Sequence, residues 1–449
     1  MPALLVAAIA TGAVAAAPAA ASTFQPDRSF GSRGIVTTTV KGVSLNAYDA
    51  VAVRGGKTVV AGQSSTSKGV TQVVVARYLK SGKLDRSFAG KGIYKSAFPS
   101  SKGPFVARAV GIQPRTGKIV VAGGYGEGSV LLMRLTSSGK LDKTFGPSRS
   151  GTVTRAVGDV AGAVAFGADG RIIVGSSNQN VNGRPFVLVG FTASGNRDSS
   201  FGSGGLVQLI FWDPAQASSA GLNNLAVTRG GQIIGSSHLD YIGGDGHGSA
   251  GVFRLDSSGR PVESFGSGGH VELARADANG TFPFWWPAGM TIDSAGRITI
   301  TGDGTGVAAS SKGAVRAVRI TGSGQIDTSF GPSGDGWAIS DGVSDGAQPL
   351  SGAAPTAGGG LAIGVGNWIL GLTPSGLKNK QFGSSGAFKI TRPAAVSINA
   401  LLSGSSGRTI TSTRSTLGQQ ISNSERSANA SICVLGLGGG GASPPPSDS

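Results

Sequence analysis

One short motif returns seven times along this chain, and it limits the possible folds more than any other feature. It reads QPDRSFGSRG from residue 25, GKLDRSFAGKG from 82, GKLDKTFG from 139, GNRDSSFGSGG from 195, GRPVESFGSGG from 259, GQIDTSFGPSG from 324 and GLKNKQFGSSG from 376. Its phenylalanines are Phe30, Phe88, Phe145, Phe201, Phe265, Phe330 and Phe382, at intervals of 58, 57, 56, 64, 65 and 52 residues. A recurring period of this size points to a propeller or a solenoid.

Each interval holds four short β-branched runs separated by turn residues. In the first interval these are GIVTTTV at 34, YDAVAVR at 48, GGKTVVAG at 55 and QVVVARYL at 72. Helical periodicity is absent from the repeats. The expected fold is therefore all-β: a seven-bladed β-propeller with four antiparallel strands per blade. A β-helix would need shorter coils. The chain opens on a motif and a strand and closes without a motif. The N-terminal strand near residues 34–40 is thus expected to complete a last blade whose other strands come from residues 394–438, removing open sheet edges.

Within the motif, Asp85 and Ser87 can bond backbone N–H groups one or two residues on and fix a turn. Gly92 permits the positive φ of the turn exit. Phe88, apolar and present once per repeat, suits a plug between neighbouring blades, worth about 1.5–3 kcal/mol when buried. A structural staple is the expectation. A calcium cage is poorly matched, because one acid per copy falls short of the 6–8 oxygens such an ion takes.

The layout LDxSFGxxGxV … GKIVVAG … RL resembles the delta-60 repeat, an uncharacterised β-propeller repeat of secreted and surface bacterial proteins. The likeness covers about residues 24–436. It weakens at Phe265, where Val262 replaces the Asp, and at Phe382, preceded by Asn379 and Gln381. It implies a fold and a repeat, and no activity.

Residues 1–21 are apolar, small and end in Ala-Ala-Ala, the pattern of a secretory signal peptide, although no Lys or Arg precedes the apolar run. Residues 22–438 are expected to form one propeller domain and 439–449 a Gly/Pro/Ser tail. The expected location is extracellular or on a bacterial envelope, with no transmembrane anchor after cleavage. The single cysteine, Cys433, excludes an internal disulfide and lies in an apolar run that suits a buried thiol. Charge is uneven: residues 1–155 carry 21 Lys/Arg against 5 Asp/Glu, and residues 156–449 carry 18 of each. That suits either solubility or a basic sector facing an anionic polymer.

Strand alternation places the a–b and c–d connections, the latter bearing the motif, on one face, and the d–a and b–c connections on the other. The irregular insertions all belong to the second face, as expected where a scaffold carries a site. They hold Trp212, Asp213, Phe284, Trp285 and Trp286, and, in the stretch 236–250, His238, Asp240, Tyr241 and His247. Clustered aromatics suit an interaction surface. Trp212, Asp213, Tyr241, Phe284, Trp285 and Trp286 are the ligand-binding candidates, for a protein or a glycan. His238, Asp240 and His247 offer metal-ligand chemistry at a spacing that matches no strong metal motif. No G-x-S-x-G, H-E-x-x-H, P-loop or paired-Cys pattern occurs, so no cofactor and no catalytic residue is expected. The basic stretch has few interleaved aromatics, which argues against specific nucleic-acid binding. The reading is a non-enzymatic binding scaffold around blades four and five. The alternatives are attachment of the basic first two blades to anionic envelope polymer, and a hydrolase or lyase at the channel mouth.

Overall fold

The computed structural model describes residues 24–32, 34–41, 44–65, 71–97, 105–125, 128–156, 160–177, 186–211, 217–241, 248–273, 284–305, 315–340, 350–356, 359–383, 385–390, 396–403, 409–415 and 429–439. The expected signal peptide and almost all of the expected tail lie outside them. Among the described residues no helix is long and apolar enough to cross a membrane.

Strands β1 (Phe24–Pro26) and β2 (Ile35–Lys41) open the chain. Blade one follows, from the axis outward as strands a to d: β3 (Ser44–Arg54), β4 (Lys57–Ser65), β5 (Thr71–Tyr78) and β6 (Ile93–Ala97). Blade two is β7 (Phe105–Ile112), β8 (Ile119–Tyr125), β9 (Ser129–Leu135) and β10 (Thr152–Ala156). Blade three is β11 (Val160–Phe166), β12 (Ile172–Ser177), β13 (Phe186–Phe191) and β14 (Leu206–Leu209). Blade four is β15 (Ala217–Val227), β16 (Ile233–Tyr241), β17 (Gly248–Leu255) and β18 (His270–Leu273). Blade five is β19 (Phe284–Ile292), β20 (Ile298–Thr305), β21 (Val315–Ile320) and β22 (Trp337–Ser340). Blade six is β23 (Leu350–Pro355), β24 (Leu361–Val365), β25 (Trp368–Leu372) and β26 (Ala387–Lys389).

The expected seven blades of four antiparallel strands are therefore corrected: among the described residues six such blades are present, not seven. The remaining strands make a different unit, a five-stranded closing sheet. It contains β27 (Val396–Ser403), β28 (Thr409–Ser415) and β29 (Asn429–Gly439), with both β1 and β2 on the far edge of β29. β2 pairs with Asn429–Leu435 and β1 with Leu437–Gly439, so the two lie end to end. The reason is where the chain is cut. In blade one the chain turns after β5 and comes back along it, bridging Leu84 to Tyr78, just before the clamp residue Asp85. In the closing sheet that hairpin is divided between the two ends of the chain, and its returning arm arrives as the separate strand β1. Cys433 lies in β29, opposite Thr37 and Thr413.

The innermost strands touch in succession, and β27 meets both β23 and β3, so the ring closes through the five-stranded sheet. The core sits between sheets. One cluster joins Val59, Val75 and Phe88 of blade one to Phe105, Val121 and Met133 of blade two. Another joins Ile234 and Phe265 of blade four to Ile298 and Val318 of blade five. All seven motif phenylalanines are at most 1% exposed, the burial that an inter-blade wedge requires.

Candidate functional site

The recurring motif is a clamp whose polar atoms are consumed by the fold. In blade two, Asp142 Oδ1 accepts from the backbone N–H of Thr144 at 3.1 Å and from its hydroxyl at 2.7 Å. Oδ2 accepts from Arg134 Nε and from Lys118 Nζ, both at 2.8 Å. The Arg134 guanidinium lies 4.4 Å from the centre of the Phe145 ring, and its Nη1 donates to Ala193 O in the turn of blade three. One arginine thus joins the turn, the wedge and the next blade. Blade one repeats this with Lys57, Arg77, Asp85, Ser87 and Phe88, where Arg77 reaches Ser137 O. Blade five repeats it with Arg319, Asp327, Ser329 and Phe330, where Arg319 reaches Pro374 O.

Burial alone would raise the carboxyl pKa of Asp85 and Asp142. Hydrogen bonds from Ser87 and Lys57, or from Lys118 and Thr144, and the charge of the paired arginine outweigh it. Both carboxyls are held well below the usual carboxylate range.

The wedge is seated by the neighbouring turn. A Cβ at Gly139, where φ is +85°, would lie 2.6 Å from the Phe88 ring. The residue after the wedge also bonds that turn: Gly31 N–H to Ser81 O, Ala89 N–H to Ser138 O and Gly146 N–H to Ser194 O, each at 2.8 Å. Adjacent turns are laced into a continuous rim.

The clamp varies by blade, and the variation was readable by aligning the repeats column by column. The residue at the entry to strand b is Lys57, Lys118, Arg171 or Arg297 in the blades whose motif keeps its Asp. Where the Asp becomes Val262 or Asn379, the equivalent residue is Gln232 or Gly360. Cation and carboxylate are lost together. In blade three Gly190 stands where blade two has Arg134, and Arg171 supplies the guanidinium instead, bonding Asp198 at 2.8 Å and Ser257 O at 2.5 Å. In blade four Arg254 still covers Phe265 and reaches Gly322 O, but its buried Nε has no hydrogen-bond partner among the described residues.

The binding candidates belong to the opposite face. Trp212, Asp213 and His247 lie outside the described residues. Phe284, Trp285 and Trp286 are not in a loop. They open strand β19, opposite Thr305, Gly304 and Asp303 of β20. Asp240 and Tyr241 end strand β16, with Tyr241 opposite Ala217. The inner hairpins of blades four and five are longer than the sequence suggested, because Ala217–Ala220 and the aromatic run lack the alternation that announces a strand. β19 touches both β15 and β16, so these strand ends share one rim of two adjacent blades.

His238 is buried within blade four. Its Nδ1 is 2.9 Å from Asn223 Oδ1, and a Cβ at Gly221 would fall 2.0 Å from its ring. Among the described residues no three His, Cys, Asp or Glu side chains converge as a metal site. A shallow recess that the sequence did not indicate lies on the outer part of blade four, lined by Phe211, Ser237, Phe253, His270 and Glu272, with Phe211 stacked on His270 at 4.7 Å.

No curated protein matches this chain. Among solved structures it is similar to a chain of the mitotic checkpoint complex, at 13% identity and a TM-score of 0.47, over 88% of this chain and 93% of that one. It is also similar to a PL25 ulvan lyase bound to -[GlcA(1-4)Rha3S]-, at 11% identity and a TM-score of 0.48, over 88% and 95%. A luciferin-regenerating enzyme follows at 11% identity and a TM-score of 0.37, over 73% and 89%. A family model described as "Domain of unknown function (DUF5122) beta-propeller" matches residues 56–88 and 115–145. Each matched stretch runs from the turn before strand b, through the clamp, to the wedge phenylalanine.

Proposed function

We propose that this chain is a secreted, non-enzymatic binding scaffold built of delta-60-type repeats. Its ligand, a protein or a glycan, docks on the face of the b–c and d–a connections at blades four and five. The observation that carries this is a division of labour between the two faces. The recurring polar groups of the motif face are bonded within and between blades. The non-repeating aromatic positions Tyr241, Phe284, Trp285 and Trp286 stand together at the opposite rim, at the ends of touching strands. Residues that serve the fold recur from blade to blade, whereas a site on a repeat scaffold departs from the repeat. A hydrolase or lyase centred on His238 gains no support, since that imidazole is packed inside its blade against Asn223.

The test is binding of the purified protein to a panel of glycans and cell-wall fractions. Replacing Trp285 and Trp286 together by alanine is expected to weaken the bound ligand at least tenfold, about 1.4 kcal/mol or more, while the melting temperature changes little. Unchanged affinity would remove the site from this rim.

A further inference from the structure

The motif face carries a second surface, and its charge is lopsided. Around the clamp of blade one, Lys80, Lys83, Arg86 and Lys91 are exposed, and around that of blade two Lys140, Lys143 and Arg149 are exposed. Arg28, beside the wedge Phe30, and the hairpin-turn residues Arg54 and Arg115 extend the same zone. The carboxylates that could balance them are withdrawn. Asp85 and Asp142 are buried in their clamps, and Asp27 is half-buried against Ser29. Elsewhere on this face the charges are mixed: exposed Asp169, Glu263 and Asp293 stand among Arg197, Arg229 and Arg260.

These cations lie on turns that the backbone ties edge to edge, Gly31 to Ser81 and Ala89 to Ser138. They therefore form an arc crossing two blade boundaries rather than separate points. An arc of this kind fits a linear chain of repeating negative charge. The surface offers nothing to a base or a bilayer: Phe30, Phe88 and Phe145 are buried, and the exposed large hydrophobics, Ile210, Ile326, Ile339 and Leu377, all lie outside residues 27–155. Exposed hydroxyls alternate with the cations at Ser81, Ser138 and Ser148, donors and acceptors that suit sugar hydroxyls.

We propose that this arc binds a linear anionic polysaccharide, independently of the aromatic rim on the opposite face. The affinity is electrostatic and falls steeply with salt. The experiment measures binding of the full chain to heparin, as a defined sulfated polysaccharide, across a salt series. Lys83→Glu, Arg86→Glu, Lys140→Glu and Lys143→Glu in one variant are expected to weaken binding more than tenfold at low salt. The slope of log affinity on log salt should flatten by about three to four, by analogy with counterion release at phosphate chains. The matching glutamine set, expected to lose about threefold or more, gives the same readout should four reversals impair folding. Lys378→Glu with Lys380→Glu on blade six, and Trp285→Ala with Trp286→Ala on the other face, should each change affinity by less than about twofold. Heparin binding that ignores salt, an equal loss in the blade-six variant or in the tryptophan variant, or tighter binding to an oligothymidylate or to anionic lipid vesicles than to heparin would each overturn the proposal.

Discussion

In blade two, Asp142 is gripped by a hydroxyl, a backbone N–H, an ammonium and a guanidinium, and the same guanidinium covers Phe145. In blade six all three charged positions are gone. Gly371, Gly360 and Asn379 stand where blade two has Arg134, Lys118 and Asp142. Yet Asn379 Oδ1 still takes the Gln381 N–H at 3.1 Å, and Phe382 is still 1% exposed. A Cβ at Gly371 would lie 2.3 Å from the Phe382 ring, so the ring rests on bare backbone where Arg134 would otherwise cover it. What the two blades share is a side-chain-capped turn and a buried ring. The ion pair is an addition: blade six lacks all three charges, whereas blade four loses the carboxylate and the strand-b cation but keeps Arg254 over Phe265.

That comparison can be broken in order of expected size. Phe145→Ala should cost about 3–5 kcal/mol, read from the denaturant midpoint, because it opens a cavity between two sheets. A loss under about 1 kcal/mol would mean that the wedge is not what joins the blades.

Asp142→Ala should cost about 3 kcal/mol by stranding Arg134, while Asp142→Asn with Arg134→Met should cost less than that single change. Additive losses would show that the charges act separately. Acid should produce the same stranding without mutation. The folded carboxyls of Asp85 and Asp142 lie below their unfolded value near 4, so their contribution is complete above about pH 4 and fades as pH drops toward the folded values. Denaturant midpoints from pH 7 down to pH 2 check the direction, and the Asp142→Ala protein should show a shallower decline.

Gly371→Ala should cost about 1–3 kcal/mol, because the added Cβ would overpack against the Phe382 ring. The smallest effect is a gain. In blade four Val262→Asp restores an acceptor for the buried Nε of Arg254 and should stabilise by about 1 kcal/mol at neutral pH, measured as a raised midpoint that disappears in acid.

Much of the fold was legible because its signals are local: alternating β-branched runs, turn glycines, and one phenylalanine per period. The clamp's turn was legible too, since Asp and Ser two residues apart imply an Asx turn. The cation partners were not seen, because Lys118 and Arg134 lie 24 and 8 residues before Asp142 and meet it only after a hairpin folds. The four-strand rule failed at the closing sheet for a similar reason. Phe24–Pro26 looks like a fragment of motif until Leu437–Gly439 arrives beside it. Of the proposed binding rim, sequence supplied the residues and the face, while the strand pairing of Phe284–Trp286 with Asp303–Thr305 came from tertiary contacts that override weak alternation.

The divided hairpin has a mechanical consequence. Phe24 and Gly439 are direct partners, so the two ends of the closing sheet's divided hairpin meet on one side of the ring, that of the clamps and the basic arc. A tether at either end would hold that side toward its anchorage and turn the aromatic rim outward, and tension between the two ends would load the short β1–β29 pairing before any of the six blades.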